Sequence, residues 1–192
     1  MVVRSTEKIL IVIGSGSRHS ASAMLAEKIR QGLTTEHEHH ARSREFHELY
    51  LGQYAMDMAD FISDGFPSDD LAEALERVRS ASAIIAITPV FNASYSGLFK
   101  MFWDMTELGD IARTPTIVAA VGGSWKHSLM VEYSLIPLFR YLQADLVPTG
   151  IYTTNTSLNP SAEDSHRTNS RIERATAELS EKLRLLNSTA TS

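Results

Sequence analysis

Three short segments hold residues whose types and spacing suit them to a charged, planar ligand. The first, Gly14-Ser15-Gly16-Ser17-Arg18-His19-Ser20-Ala21-Ser22, mixes glycine, serine and arginine. Glycines let backbone N–H groups turn toward an anion, serines donate hydroxyl bonds, a helix starting here adds partial positive charge, and Arg18 neutralises charge. By composition this is a phosphate cradle. No Gly-Lys-Ser/Thr follows, so it is not a Walker loop, and His19 stands where the third glycine of G-x-G-x-x-G belongs. The same residues also make a serine-capped helix that binds nothing. The second segment, Thr88 to Gly97 (TPVFNASYSG), sets a rigid proline beside aromatics and exposed backbone. A flat heterocycle would lay its face on the apolar side chains and its edge on main-chain amides. The plainer alternative is that Phe91 and Tyr95 belong to the core. The third, Val121 to His127 (VGGSWKH), carries Gly122 and Gly123, which permit close backbone approach or a simple turn.

Each segment follows an apolar run. Ile9 to Ile13, Ala83 to Val90 and Pro115 to Val121 are continuous apolar stretches, the pattern of strands buried on both faces of a parallel sheet. Arg44 to Leu51 reads as a weaker second strand, and Leu146 to Tyr152 as a fifth, broken by Pro148 and Gly150. Helical spacing links Met24, Leu25, Ile29 and Leu33, with Gly32 as a stop signal, and recurs over Asp70 to Val78, Tyr95 to Met105, Ser128 to Leu142 and Ser161 to Leu186. Five strand–helix alternations without repeat or linker predict one doubly wound α/β domain over residues 1–187, with a frayed tail at 188–192. In such sheets ligands bind outside the carboxyl ends of the strands, where the three segments fall.

Composition removes several classes. At 192 residues, 43% hydrophobic and 21% charged, the chain is neither disordered, collagenous nor coiled coil. Eighteen Lys+Arg against 23 Asp+Glu, a formal charge of −5, leave no basic field for nucleic acid or anionic lipid. Without cysteine there is no disulfide, zinc–thiolate or iron–sulfur site and no thiol nucleophile, which fits a reducing compartment such as the cytoplasm. The Ile9–Ile13 run is far shorter than the ~20 residues of a membrane span. Glu36-His37-Glu38-His39-His40, with His47, looks like a metal cluster but reads better as a solvated loop ahead of strand two, so no metal site is expected. Leu98, Phe99, Met101, Phe102, Trp103 and Met105 make the Tyr95–Met105 helix apolar nearly all round, so neighbouring helices or a second subunit must enclose it.

Thr88 to Lys100 (TPVFNASYSGLFK), taken with Val121 to Ser124 (VGGS) and Tyr133 to Phe139 (YSLIPLF), resembles the NAD(P)H-dependent FMN reductases of the flavodoxin-like fold, above all the small reductases that feed two-component, luciferase-like and alkanesulfonate monooxygenases. The likeness runs from about Ile9 to Thr153. In the first loop one residue, not two, separates Arg18 from Ser20 in the family's G-S-x-R-x-x-S pattern, while Ser22 falls in the expected place. The resemblance implies a three-layer sandwich around a five-stranded parallel sheet of order 2-1-3-4-5. It implies FMN with its phosphate at Ser15, Ser17, Arg18, Ser20 and Ser22, its ring against Pro89, Val90, Phe91, Asn92 and Ser94, and its pyrimidine edge at Gly122, Gly123 and Ser124. NADPH or NADH supplies hydride to flavin N5, so no catalytic side chain is required. It further implies a homodimer or homotetramer and a flavin-dependent monooxygenase as partner. An FMN-bound quinone or azo-type reductase and a non-enzymatic electron carrier are the alternatives.

Overall fold

The computed structural model describes residues 6–37 and 43–189. Its frame is a parallel sheet in which β2 (Arg44–Tyr50), β1 (Glu7–Ile13), β3 (Ala83–Phe91) and β5 (Pro115–Gly122) lie side by side. The fifth position is shared by β6 (Asp145–Leu146), which pairs with the start of β5, and β7 (Ile151–Thr154), which pairs with its end. The expected order 2-1-3-4-5 is therefore present. The sheet nevertheless has seven strands rather than five, because the Val147–Gly150 stretch interrupts the fifth and because Ser94–Tyr95 forms a short antiparallel β4 on β3.

Strand alternation sorts the core into two layers. Leu10, Val12, Ile84, Ala86, Val118 and Ala120 face α2 (Ala55–Asp64), α3 (Asp69–Arg79), α4 (Gly97–Trp103) and α5 (Ile136–Tyr141). Ile9, Ile11, Ile13, Ile85, Ile87, Ile117 and Ala119 face α1 (Ala21–His37) and α6 (Ser165–Thr189). Both faces of the central strands are buried, which explains their uninterrupted apolar sequences.

Several elements depart from the sequence expectation. Gly32 does not end α1; an added Cβ there would stand 3.2 Å from Thr176, so the glycine lets α6 pack close against mid-helix. The 3-10 turn Leu51–Tyr54 and α2 are additional elements; α2 buries Met58 while Met56 and Ile62 point to solvent. The Tyr95–Met105 helix is shorter, because Asn92 and Ala93, at φ 48° and 66°, form a tight hairpin and only then does Ser96 cap α4. Phe99, Phe102 and Trp103 are buried within the chain, Trp103 edge-on to Phe139 at 4.8 Å, while Leu98, Met101 and Met105 are half-buried. Ser128–Leu142 is not one α-helix. A π-helical turn over Val131–Leu135 precedes α5, with the Ile136 N–H donating to the Val131 carbonyl, and Pro137 has no N–H to continue the ladder. The final helix starts at Ser165 and runs through Thr189; residues 190–192 lie outside the described residues. So does most of the histidine-rich segment, while His47 pairs with Glu45 at 3.2 Å.

Candidate functional site

The parallel register brings the carboxyl ends of β1, β3, β5 and β7 to one edge, Ile13 level with Ile87, Pro89 with Val121 and Gly122 with Thr154. There a cleft of about 360 Å³ is walled by Ser15, Gly16, Ser17, Ser20, Ala21, Ser22, Pro89, Phe91, Val121 and Asn155. Its volume lies within the usual range for small-ligand sites.

The first wall is the turn into α1. Ser20 caps the helix: its Oγ accepts the Ala23 N–H at 3.1 Å and its carbonyl the Met24 N–H at 3.0 Å. The hydroxyls of Ser15 and Ser20 meet at 2.8 Å, and Ser15 also donates to the Ser17 carbonyl. Ser17 Oγ accepts the His19 N–H. Ser15 and Ser22 are buried side chains on this wall. The amides of Ala21 and Ser22, at the helix start, donate to no other protein group among the described residues. A cluster of hydroxyls and free N–H groups at a helix N-terminus suits an anion of phosphate size. The loop is held tight from below, since the Gly52 N–H donates to the Ser15 carbonyl and a Cβ on Gly52 would stand 2.5 Å from the Gly16 carbonyl oxygen. Arg18 does not line the cleft. Its guanidinium lies over the Tyr50 ring at 4.6 Å, and Tyr50 donates to Glu48. Burial and the Glu48 carboxylate push the Tyr50 phenol up to about 12.

The second wall comes from β3. Pro89 and Phe91 face the cleft, and Phe91 is 62% exposed, unusual for an aromatic that is merely core and open to a ligand ring. Tyr95, by contrast, packs on Phe99 at 6.1 Å. Val90 and Ser94 pair across the hairpin with Tyr95 and Phe91, and Asn92 is at its tip; these three do not line the cleft. Ser96, a residue the sequence did not single out, ties the two walls together. Its Oγ donates to the Gly14 carbonyl at 2.6 Å and accepts the Phe99 N–H at 3.2 Å, while its own N–H donates to Thr88. Gly14 must be glycine for this, because an added Cβ would stand 2.7 Å from Phe99.

The third loop continues β5. Val121 reaches the cleft, and Gly122, Gly123 and Ser124 follow beside it, outside the lining. The Tyr152 ring lies against Gly122, where a Cβ would collide with its hydroxyl, and that hydroxyl donates to the Ser124 carbonyl at 2.5 Å. Burial pushes the Tyr152 phenol up. The amides of Gly123 and Ser124 donate to no other protein group among the described residues, leaving them available to a ring edge. Asn155 forms the remaining wall, its N–H donating to the Gly122 carbonyl at 3.2 Å. Val121 opens the third segment read from the sequence, whereas Asn155 lies outside all three and only the β5–β7 register brings it to the cleft. A larger cleft, about 650 Å³, opens beyond Trp125 between Leu129, Gly150 and Arg171, away from the phosphate and ring walls.

This arrangement fits FMN: an anion cradle and an exposed aromatic surface in one cleft, with the free Gly123 and Ser124 amides beside it. The family model for NADPH-dependent FMN reductase matches residues 7–158. The chain is 32% identical over 156 residues to the NADH-dependent FMN reductase SfnF of Pseudomonas putida, covering 78% of this chain and 80% of that one. It is 26% identical to an NADPH FMN reductase of Escherichia coli over 79% of its own length and 75% of the relative's. Among solved structures, an oxidoreductase from Corynebacterium diphtheriae superposes with a TM-score of 0.85 at 30% identity, covering 93% of this chain and 98% of that one. A flavodoxin from the domain Archaea, at 13% identity and TM-score 0.56 over 90% and 99% of the two chains, shares the fold. The chain belongs to the NADPH-dependent FMN reductase family, oxidoreductases that use FMN and a reduced nicotinamide nucleotide.

Proposed function

We propose that this protein binds FMN in the cleft between the β1, β3 and β5 loops, reduces it with NADPH or NADH, and hands it to a flavin-dependent monooxygenase. The observation that carries the reading is the junction of the Ser15–Ser22 cradle with the exposed Phe91 in one cleft. Bound there, FMN supplies the hydride-accepting centre. Ser15, Ser17, Ser20 and Ser22, with the Ala21 and Ser22 amides, hold the phosphate. Arg18, stacked on Tyr50 outside the cleft, adds positive charge at longer range. Pro89 and Phe91 form the ring wall, Val90, Asn92 and Ser94 build the hairpin that presents Phe91, and the Gly122–Ser124 backbone stabilises charge at the pyrimidine edge. Transfer to a monooxygenase is supported by the likeness of the Thr88–Lys100 segment to reductases of two-component systems. Action in the cytoplasm accords with the absence of cysteine, and no helix among the described residues is long and apolar enough to cross a membrane. Self-association as a homodimer or homotetramer is supported by exposed Leu129, Tyr133 and Tyr141 around α5.

The test is steady-state oxidation of NADPH and NADH by the purified protein, with and without added FMN. Oxidation that rises and saturates with free FMN is the expected result. No oxidation of either nucleotide, despite tight FMN binding, overturns the reductase reading in favour of an electron carrier.

A further inference from the structure

The third loop has little of its own to hold it: Gly122 and Gly123 carry no side chains, and Ser124 caps only a single 3-10 turn, Trp125–His127. The Tyr152 hydroxyl of β7 holds the Ser124 carbonyl, and a second tie, to Trp125, comes from the chain after β7. Asp164, the residue before α6, accepts the Trp125 indole N–H at 2.7 Å on Oδ2. The same oxygen accepts the Ser157 hydroxyl at 2.7 Å, and Ser157 meets the Thr154 hydroxyl at 2.6 Å. Ser157 and Thr154 are both buried, so the carboxylate is anchored through hydroxyls to the end of β7. The Ser157 hydroxyl and the indole N–H hold the Asp164 carboxyl below the usual carboxylate range. Asp164 thus fastens Trp125, the residue next to the Gly123 and Ser124 amides, to the frame that also presents Asn155 to the cleft. It lies beyond the 7–158 stretch that defines the family match.

We propose that Asp164 is a positioning residue for the flavin-ring end of the cleft, acting through the Trp125 indole to aim the Gly123–Ser124 backbone. This rests on the reading of that loop as the wall for the ring edge. The bond is charge-assisted and spans two chain segments, so its loss lets the loop drift from the position a ring edge needs.

The test compares Asp164→Ala, Asp164→Asn, Trp125→Phe and the Asp164→Ala/Trp125→Phe double variant of the full chain, reading the FMN dissociation constant from flavin fluorescence and the visible spectrum of bound flavin. Asp164→Ala weakens FMN about tenfold, the size of one lost charge-assisted hydrogen bond. Asp164→Asn, which keeps an acceptor, restores most of the affinity. Trp125→Phe, which removes the donor, reproduces the Asp164→Ala loss, and the double variant loses no more than either single one, because both act on one bond. Asp164→Ala or Trp125→Phe binding FMN like the wild type, or the two losses adding in full, overturns the proposal. If Asp164→Ala does not fold, Trp125→Phe decides alone. Wild-type protein that does not bind FMN refutes the site reading itself. Binding that weakens with Ser20→Ala and Ser22→Ala but ignores Asp164→Ala and Trp125→Phe sinks the clamp only.

Discussion

Replacing Ser96 by alanine tests whether the cleft is assembled by a single hydroxyl. Ser96 Oγ is buried, donates to the Gly14 carbonyl at 2.6 Å and accepts the Phe99 N–H at 3.2 Å, so one atom caps α4 and joins two strand-end loops. Losing the cap costs about 1 kcal/mol. Leaving the buried Gly14 carbonyl without its donor costs a further 1–2 kcal/mol or so. The expected total, about 2–3 kcal/mol, corresponds in a chain of this size to a Tm lower by roughly 5–10 °C. Ser68 supplies the control, since its Oγ caps α3 by accepting the Leu71 N–H at 3.2 Å and makes no second hydrogen bond among the described residues. Ser68→Ala should therefore cost only about 1 kcal/mol. Urea denaturation followed by circular dichroism, at unchanged m-value, measures both. Equal losses for the two variants would refute the claim that Ser96 does more than cap a helix. Ser96→Thr, which keeps the hydroxyl, should recover most of the difference.

Ser20→Ala with Ser22→Ala should weaken FMN binding by clearly more than the ~1 kcal/mol of one neutral hydrogen bond; a smaller effect by fluorescence titration would move the phosphate elsewhere. The Tyr50 phenol, raised to about 12 from 10.0, keeps its proton longer in the folded than in the unfolded chain. Its contribution to stability is therefore complete below pH 10 and lost as pH climbs from 10 to 12, and Tyr50→Phe should flatten that alkaline decline in denaturation midpoints. Ala93 holds φ 66° in the hairpin, so Ala93→Gly should raise stability by roughly 0.5–1 kcal/mol; a lower melting temperature would contradict the strain argument.

Burial decided which parts of this molecule could be read from sequence. β1, β3 and β5 are apolar on both faces, so Ile9–Ile13, Ala83–Val90 and Pro115–Val121 announced themselves, and with them the place where ligand loops must fall. α2 was hidden because Met56 and Ile62 face solvent, which erases a helical stripe. Gly32 looked like a terminator because a sequence does not show a partner helix as close as α6. At the site, the serines and Phe91 carried legible chemistry, but Arg18 turned to Tyr50, and Asn155 and Ser96 owe their roles to strand register and to contacts 82 positions apart for Ser96 and Gly14.

At the far edge of the sheet the two ends of the described chain meet. Asn187 donates to Glu7 at 2.7 Å across 180 positions, and Arg44 joins the same cluster through Glu7, the Leu33 carbonyl and Ser180. A short linker from Asn187 to Glu7 would therefore close residues 7–187 into a ring, with new termini opened in the exposed segment around Gly65 and Phe66. Glu7 opens β1 and the candidate FMN cleft lies past its other end, beyond Ile13. On the proposed function, a monooxygenase tethered near Glu7 or Asn187 would leave the opening between Ser17 and Phe91 clear, and the tether would set the local concentration of acceptor.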